Sequence, residues 1–448
     1  MEKTYDLTRG KAARRLLAFF LPMLFTNALQ QIYAFIDAAI VGKGLGDNAL
    51  GAVGNLSSLW LLIIGFSMGM TNGFSVILAQ SFGAGNRAAF RKAIAMSYKL
   101  CLFMAALLTA LGCLLLEPML VAMRTEGPIF QDSLLYGNII FRGLAATVAY
   151  NLTSAILRAV GDSRTPLFAL IISSAVNVAL DWFAIFYLKT GVEGAAIATV
   201  LSQAVSAYIC YRKIRTIEMA RIQYEDFEND GSMIRGLLKN GISMACMNSV
   251  TAVGCIVVQG CVNGLGVAYT AAYSACSKYL NLFMLPSITA GFSLSAFAGQ
   301  NYGAGKMDRI REGVRVCLVI ALVSWLALGA VMCIFPRALA GLMLNGEDTV
   351  SLAAQYLRIC GAALCLLNFL LVYRNCVQGM GYPLIPMYSG VLEMALRIPA
   401  IMLLFPRIGF RATACAEALA WVGALALNRF AYARAIRRTV RGPLRGQE

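Results

Sequence analysis

Apolar runs too long for any soluble core constrain this chain most. Two stretches, 48–86 and 240–277, extend for 39 and 38 residues without a charged side chain. A helix needs about 20 apolar residues to cross the hydrocarbon of a bilayer. Reading for runs of that length predicts twelve spans, near 16–42, 50–80, 93–116, 129–157, 166–188, 194–211, 240–263, 268–299, 314–335, 349–378, 384–406 and 411–435. Gly264-Leu265-Gly266 breaks the second uncharged stretch into most of one span and the start of the next. Composition agrees, because 59% of the 448 residues are hydrophobic and 13% charged, against about 45–50% and about 25% in soluble domains. The expected fold class is all-α and integral to the membrane. The first run is too long for a signal-peptide core, and no small-residue cleavage site follows it.

The charge balance is +16, which fits either nucleic-acid binding or the cytosolic loops of a membrane protein. Position decides between them. With span ends drawn to within a few residues, the termini and every second loop carry 27 Lys and Arg, the other loops 6. That bias places both termini in the cytosol and accounts for the basic character without nucleic acid. Five cations fall inside spans: Lys99, Arg142, Lys278, Arg358 and Arg397. The chain has no His, and its 13 Cys form no CxxC pair. His-based zinc sites, triads and proton relays are excluded, and the cysteines read as small buried hydrophobes.

The sequence also repeats. Phe82-Gly83-Ala84-Gly85 recurs 220 residues later as Tyr302-Gly303-Ala304-Gly305, Gly44-Leu45-Gly46 as Gly264-Leu265-Gly266, and Arg91 as Arg311. Gly161 pairs with Gly379 and Gly191 with Gly409 at an offset of 218. A near-constant shift over separated sites indicates duplication. Each half holds six spans, so both enter from the same side, as in a parallel repeat with its axis along the membrane normal. The expected organisation is an amino-terminal lobe over 1–211, a charged cytosolic linker over 212–239 and a carboxyl-terminal lobe over 240–448. Eleven of the linker's 28 residues are charged. Two bundles related in this way can expose a central cleft alternately, which is transporter architecture.

These features carry a resemblance to the multidrug and toxic compound extrusion (MATE) transporters. The matching residues are Pro22, Gln30, Tyr33 and Asp37 in span 1, the GLG turn before span 2, and the FGAG of Phe82–Gly85. Gly299–Gly305, Arg158–Asp162 with Pro166, and Gly194–Thr199 in span 6 also match. The resemblance covers nearly the whole chain. It implies two six-helix lobes with a V-shaped cavity, and export of organic, often cationic compounds in exchange for sodium ions or protons. It also implies that an aspartate in span 1 carries ion coupling. Asn177, Asp181 and Thr199 match ion-site positions of the amino-terminal lobe, and Asn151 matches a cavity position.

The residues themselves point to the same place. Away from the span ends, only Asp37, Asp181, Glu393 and Glu417 put carboxylates inside spans, each costing roughly 2.5–3.5 kcal/mol on insertion scales. Asp37 and Asp181 lie about 8 Å and about 10 Å from the outer ends of their helices, so their depths match. Asp37 shares a face with Tyr33 and Gln30, Asp181 with Asn177 and Ser174. Thr199, Ser202, Gln203 and Ser206 enter from span 6. Such oxygens suit a small hard cation, so a sodium ion held by Asp37, Asn177, Asp181 and Thr199 is one reading. Two neighbouring carboxylates out of water also suit a shared proton, and the residues do not choose between the two. The second half lacks a copy, with Val257 opposite Asp37 and Pro399 opposite Asp181.

In span 11, Glu393 and Arg397 stand in the favourable i,i+4 order for an ion pair that Glu417 can join. Arg142 and Lys278 are expected deep in spans 4 and 8. The resulting expectation is a secondary antiporter in the plasma membrane, not an enzyme, working without a cofactor. Its partners are small-molecule substrates and lipids, and its state a monomer. The alternative within the same superfamily is a flippase for lipid-linked oligosaccharides or cell-wall precursors. Such flippases carry basic clusters, whereas lobe one here offers carboxylates.

Overall fold

The computed structural model describes residues 6–122, 125 and 127–440. All regular structure among them is helical: α1 (Ala12–Leu45), α2 (Asp47–Gly83), α3 (Arg87–Ala122), α4 (Pro128–Arg142), α5 (Leu144–Ala159), α6 (Arg164–Trp182), α7 (Val192–Thr216), α8 (Gly231–Asn263), α9 (Val267–Phe283), α10 (Leu285–Gly303), α11 (Met307–Ser324), α12 (Ala330–Ile334), α13 (Pro336–Gly341), α14 (Glu347–Gly379), α15 (Leu384–Ile408) and α16 (Arg411–Val440). Eight of these helices are long and apolar enough to cross a bilayer alone. The pairs α4–α5 and α9–α10, bent by 47° and 43°, raise the number to ten. The helices α15 and α16, outside that count, occupy the last two of the twelve runs expected. Each bend has a local cause. Gly143 separates α4 from α5, and a Cβ there would lie 2.2 Å from Val200 of α7. Pro286 stands in the first turn of α10, where its ring and missing N–H interrupt the preceding helix.

The chain divides into two compact units. The first is built on Leu21–Ala245, the second on Leu7–Phe20 with the chain from Cys246 onward. The boundaries expected at 211 and 240 therefore fall inside α7 and α8, and both α1 and α8 pass from one unit to the other. In the first unit α7 packs on α5 and α6, and α2 on α4 and α5, around Phe74, Phe90, Ile94, Leu144 and Ile156. Glycine lets α2 meet α8 at backbone distance, since a Cβ on Gly73 would sit 2.4 Å from the Asn240 carbonyl oxygen. Small residues serve this purpose where helices associate in lipid.

The linker is shorter than expected, 217–230, because α7 and α8 extend into it. It is folded against α3. Glu218 pairs with Arg87 at 3.1 Å, Asp226 with Arg91 at 3.3 Å and Asp230 with Lys92 at 3.4 Å. Lys99, expected inside span 3, is exposed and donates to Asn229 Oδ1 at 3.0 Å and to the Phe227 carbonyl.

In the second unit α14 is central, packed by α9, α10, α11 and α16, with Tyr356, Leu357, Leu364 and Trp421 in the core. The segment before α1 docks here through Leu7 N–H to Gln300 Oε1 (2.9 Å) and Arg309 to the Leu7 carbonyl (2.9 Å).

The duplication is visible in the backbone. Gly46 and Gly266, Gly85 and Gly305, and Gly191 and Gly409 all have positive φ. The fourth pair is corrected: the residue equivalent to Gly161 (φ 92) is Gly381 (φ 87), not Gly379. In both turns the N–H groups bond back identically, Asp162 to Leu157 and Tyr382 to Val377, so the offset there is 220. This is the 6→1 closure of a helix ending in a left-handed residue.

Candidate functional site: an acidic cavity in the first unit

Asp37 on α1 and Asp181 on α6 face each other closely enough to interact electrostatically. Asp37 opens on a cavity of about 390 Å³, also lined by Tyr33, Leu56, Tyr136, Thr199 and Gln203. Tyr33 interacts with both carboxylates and with Ser202, and Tyr136 with both carboxylates and with Thr199. Asp181 and Asn177 are wholly buried, one turn apart on α6. Immediately after Asp181 the helix loosens into a π turn, Phe183–Tyr187, a distortion frequent at functional sites.

The polar atoms of this cluster lack internal partners. Both Asp181 oxygens, Asp37 Oδ1, both amide atoms of Asn177 and Gln203 Oε1 are buried without a hydrogen bond. Leaving such atoms unsatisfied costs about 1–3 kcal/mol each, more for a charge, so a proton, an ion or water that bonds to them is favoured here. The Thr199 hydroxyl donates to the Ala195 carbonyl at 3.0 Å, and Ser202 to the Thr199 carbonyl at 2.8 Å. Both hydroxyl oxygens therefore keep lone pairs for acceptance. Carboxylate, amide and hydroxyl oxygens fit a hard cation or a proton. Among the described residues no group of three or more His, Cys, Asp and Glu comes together.

Of the residues expected here, Asp37, Tyr33, Thr199 and Gln203 line the cavity, Asp181 is electrostatically tied to Asp37, and Asn177 lies one turn before it on α6. Three others are placed differently. Asn151 is directed elsewhere, donating to Ser67 Oγ of α2 at 3.4 Å. Ser174 lines a separate apolar groove. Gln30 lines neither. Tyr136 was missed, because nothing in the spacing of span 4 ties it to residue 37.

The second unit carries a different arrangement. The ion pair expected between Glu393 and Arg397 does not form. Glu393 pairs with Arg374 of α14, and Arg397 with Glu417 of α16 at 2.8 Å. All four side chains are at most 9% exposed. Ser389 Oγ accepts from Arg374 at 3.1 Å and from Asn428 at 2.7 Å. Arg374, not among the five cations expected inside spans, is thus a buried helical residue. Arg142, Lys278 and Arg358 are instead exposed.

A duplicated, all-helical, multi-pass fold with a polar cavity inside one lobe is that of a membrane transporter rather than an enzyme. The MatE family model matches residues 22–183 and 241–403, one copy per half, and the chain belongs to that family. The probable multidrug resistance protein YpnP of Bacillus subtilis is 28% identical over 80% of each chain. YoeA of the same organism, also a probable multidrug resistance protein, is 26% identical over 80% of this chain and 79% of its own. A solved structure of MATE in the bent conformation superposes with a TM-score of 0.91 at 20% identity, covering 98% of this chain and 100% of its own.

Proposed function

We propose that this chain is a secondary active multidrug exporter of the plasma membrane, both termini cytosolic, that exchanges amphipathic organic cations for protons or sodium ions. The observation that carries this reading is the pair Asp37 and Asp181, buried beside a cavity with no cation among its lining residues. An uncompensated carboxylate pair attracts positive charge, whether an ion or a cationic compound. Occupancy by one disfavours the other, and that competition couples inward ion flow to outward export. The multidrug names of the relatives support the substrate class. The protein acts without a cofactor, as a monomer among lipids.

A second reading, a flippase for an anionic lipid-linked precursor, draws on Arg142 and Lys278. Both are exposed, the first at the α4–α5 break. One experiment separates the two. Purified protein in liposomes is given a sodium or a proton gradient separately, and ethidium efflux is followed. Export under one gradient, abolished by Asp37→Asn, supports the antiporter. No ethidium movement, with translocation of an anionic lipid-linked sugar lost in Arg142→Ala, supports the flippase.

A further inference from the structure

Lys278 belongs neither to the acidic cavity nor to the buried ion pairs. It stands on α9, which with α10 makes one bent span. It lies eleven residues into the helix from Val267, about 17 Å along the axis, farther than a lysine side chain reaches to meet a bilayer surface. Contacts on the other side of α9 fix its rotation. Tyr273 packs edge-on against Tyr356 of α14 with ring centroids 5.8 Å apart, Cys276 Sγ donates to the Ala353 carbonyl at 3.5 Å, and the Tyr279 hydroxyl donates to the Leu339 carbonyl at 2.7 Å. Lys278 and Asn281 are thereby turned outward and exposed, with Ser274 half-buried beside them. The three follow at i, i+4 and i+7, one face of a helix. Among the described residues neither Lys278 nor Asn281 has a hydrogen-bond or ionic partner. The first half has no cation here, since Ser58 stands 220 residues before Lys278.

We infer that Lys278, with Asn281, binds an oxyanion, the carboxylate or phosphate of a transported compound. This rests on the export reading above and adds to it a site in the second unit that recognises an acidic group. An ammonium at such depth is costly against hydrocarbon and marks a substrate or ion path when it stays exposed. Lysine offers three N–H donors and no acceptor, and the Asn281 amide adds two more. That set fits an acceptor-only carboxylate or phosphate, with the charge strengthening each hydrogen bond, and it repels an organic cation. A lipid headgroup carries the same chemistry but sits at the bilayer surface, away from the depth of Lys278. The two units thus offer charges of opposite sign, Asp37 and Asp181 in the first and Lys278 in the second. A compound that carries both a cation and an acid has a group for each.

The test uses two dyes that differ at a single acid, rhodamine 19 with a free carboxylate and rhodamine 6G, its ethyl ester. Binding to purified protein in phosphatidylcholine nanodiscs is read by fluorescence anisotropy. Lys278→Gln should weaken rhodamine 19 binding at least about tenfold, the scale of a hydrogen bond to a charged group. Rhodamine 6G binding should stay within about twofold, the size of a surface effect. Lys278→Arg keeps the charge and should keep the acid bound. Equal weakening of both dyes in Lys278→Gln, or rhodamine 19 binding left intact, would overturn the inference. So would displacement of rhodamine 19 by phosphatidylglycerol and not by phosphatidylcholine, which assigns the ammonium to a lipid headgroup. If the original protein binds neither dye, the export reading fails and the inference falls with it, whereas a change in one dye alone speaks to the inference by itself.

Discussion

The two halves of this chain share a frame and treat buried charge in opposite ways. Both close their turns with left-handed glycines at matching positions, Gly85 with Gly305 and Gly161 with Gly381. In the first unit two carboxylates face each other with no cation against them. In the second, Glu393 and Glu417 each hold a guanidinium, Arg374 and Arg397, from a neighbouring helix. A paired charge out of water has little left to offer a guest, and removing one partner strands the other. An unpaired one is costly until a proton, an ion or a cationic compound joins it. Duplication thus supplied two scaffolds, of which one keeps its charge available and the other spends it on tying α14, α15 and α16 together.

The largest effect is expected from emptying the first unit's charge. Asp37→Asn or Asp181→Asn should leave the protein inserted and folded while gradient-driven export falls by about a hundredfold or more, the scale of losing a charge that a site is built around. The double mutant should be no worse than either single one, because both serve one site. Additive losses in efflux assays would mean two separate sites.

In the second unit the loss should appear in stability instead. Glu393→Gln leaves Arg374 buried without a counter-charge, and Glu417→Gln does the same to Arg397, at about 3–5 kcal/mol each. The melting temperature of detergent-solubilised protein should drop, with export per folded molecule retained. Glu393→Gln combined with Arg374→Gln should recover part of the stability. Normal melting with lost transport would move this cluster into the substrate or ion path and dissolve the contrast.

A smaller difference lies at equivalent turns. Asp162 Oδ1 accepts from the backbone N–H groups of Arg164 and Thr165 at 3.0 Å, capping α6. Its counterpart in the second unit is Tyr382. Asp162→Ala should cost about 1 kcal/mol, read as a shift in melting. Tyr382→Ala, which removes no cap, should cost α15 no capping energy, and an equal shift in both variants would refute the asymmetry.

The least effect is expected at the linker. Asp230 is held below the ordinary carboxylate range, first by the Met233 N–H and then by Lys92. A depressed carboxylate contributes stability above its unfolded value and loses it as pH falls through the folded one. Lys92→Ala should therefore cost no more than about 0.5 kcal/mol at neutral pH, fading in acid, as melting between pH 7 and pH 3 would show.

Much of this was legible in the sequence because bilayer thickness imposes a length that no soluble core imposes. The twelve runs needed only counting, and α14, read as 349–378, spans Glu347–Gly379. The acidic pair was legible because matched depth and i, i+4, i+7 faces are properties of single helices. Partners across helices were not. Glu393 and Arg397 satisfy the i,i+4 rule, yet each finds a better counter-charge on another helix, and spacing along one chain carries no information about that competition. Arg374 escaped because it lies near the end of its apolar run, where buried and loop cations look alike. Gln30 shares the helix face of Asp37 yet is not among the residues that line the cavity, and Asn151 meets Ser67 of α2 instead.

The most direct test of the central claim is ion binding by purified protein without substrate. Proton release on adding sodium, and the pH dependence of intrinsic Trp182 fluorescence beside the π turn, should both report a single titrating or ion-binding event. That event should disappear in Asp37→Asn and in Asp181→Asn and persist in Glu393→Gln with Arg374→Gln. Persistence in both aspartate mutants, or loss in the second-unit double mutant, would contradict the account.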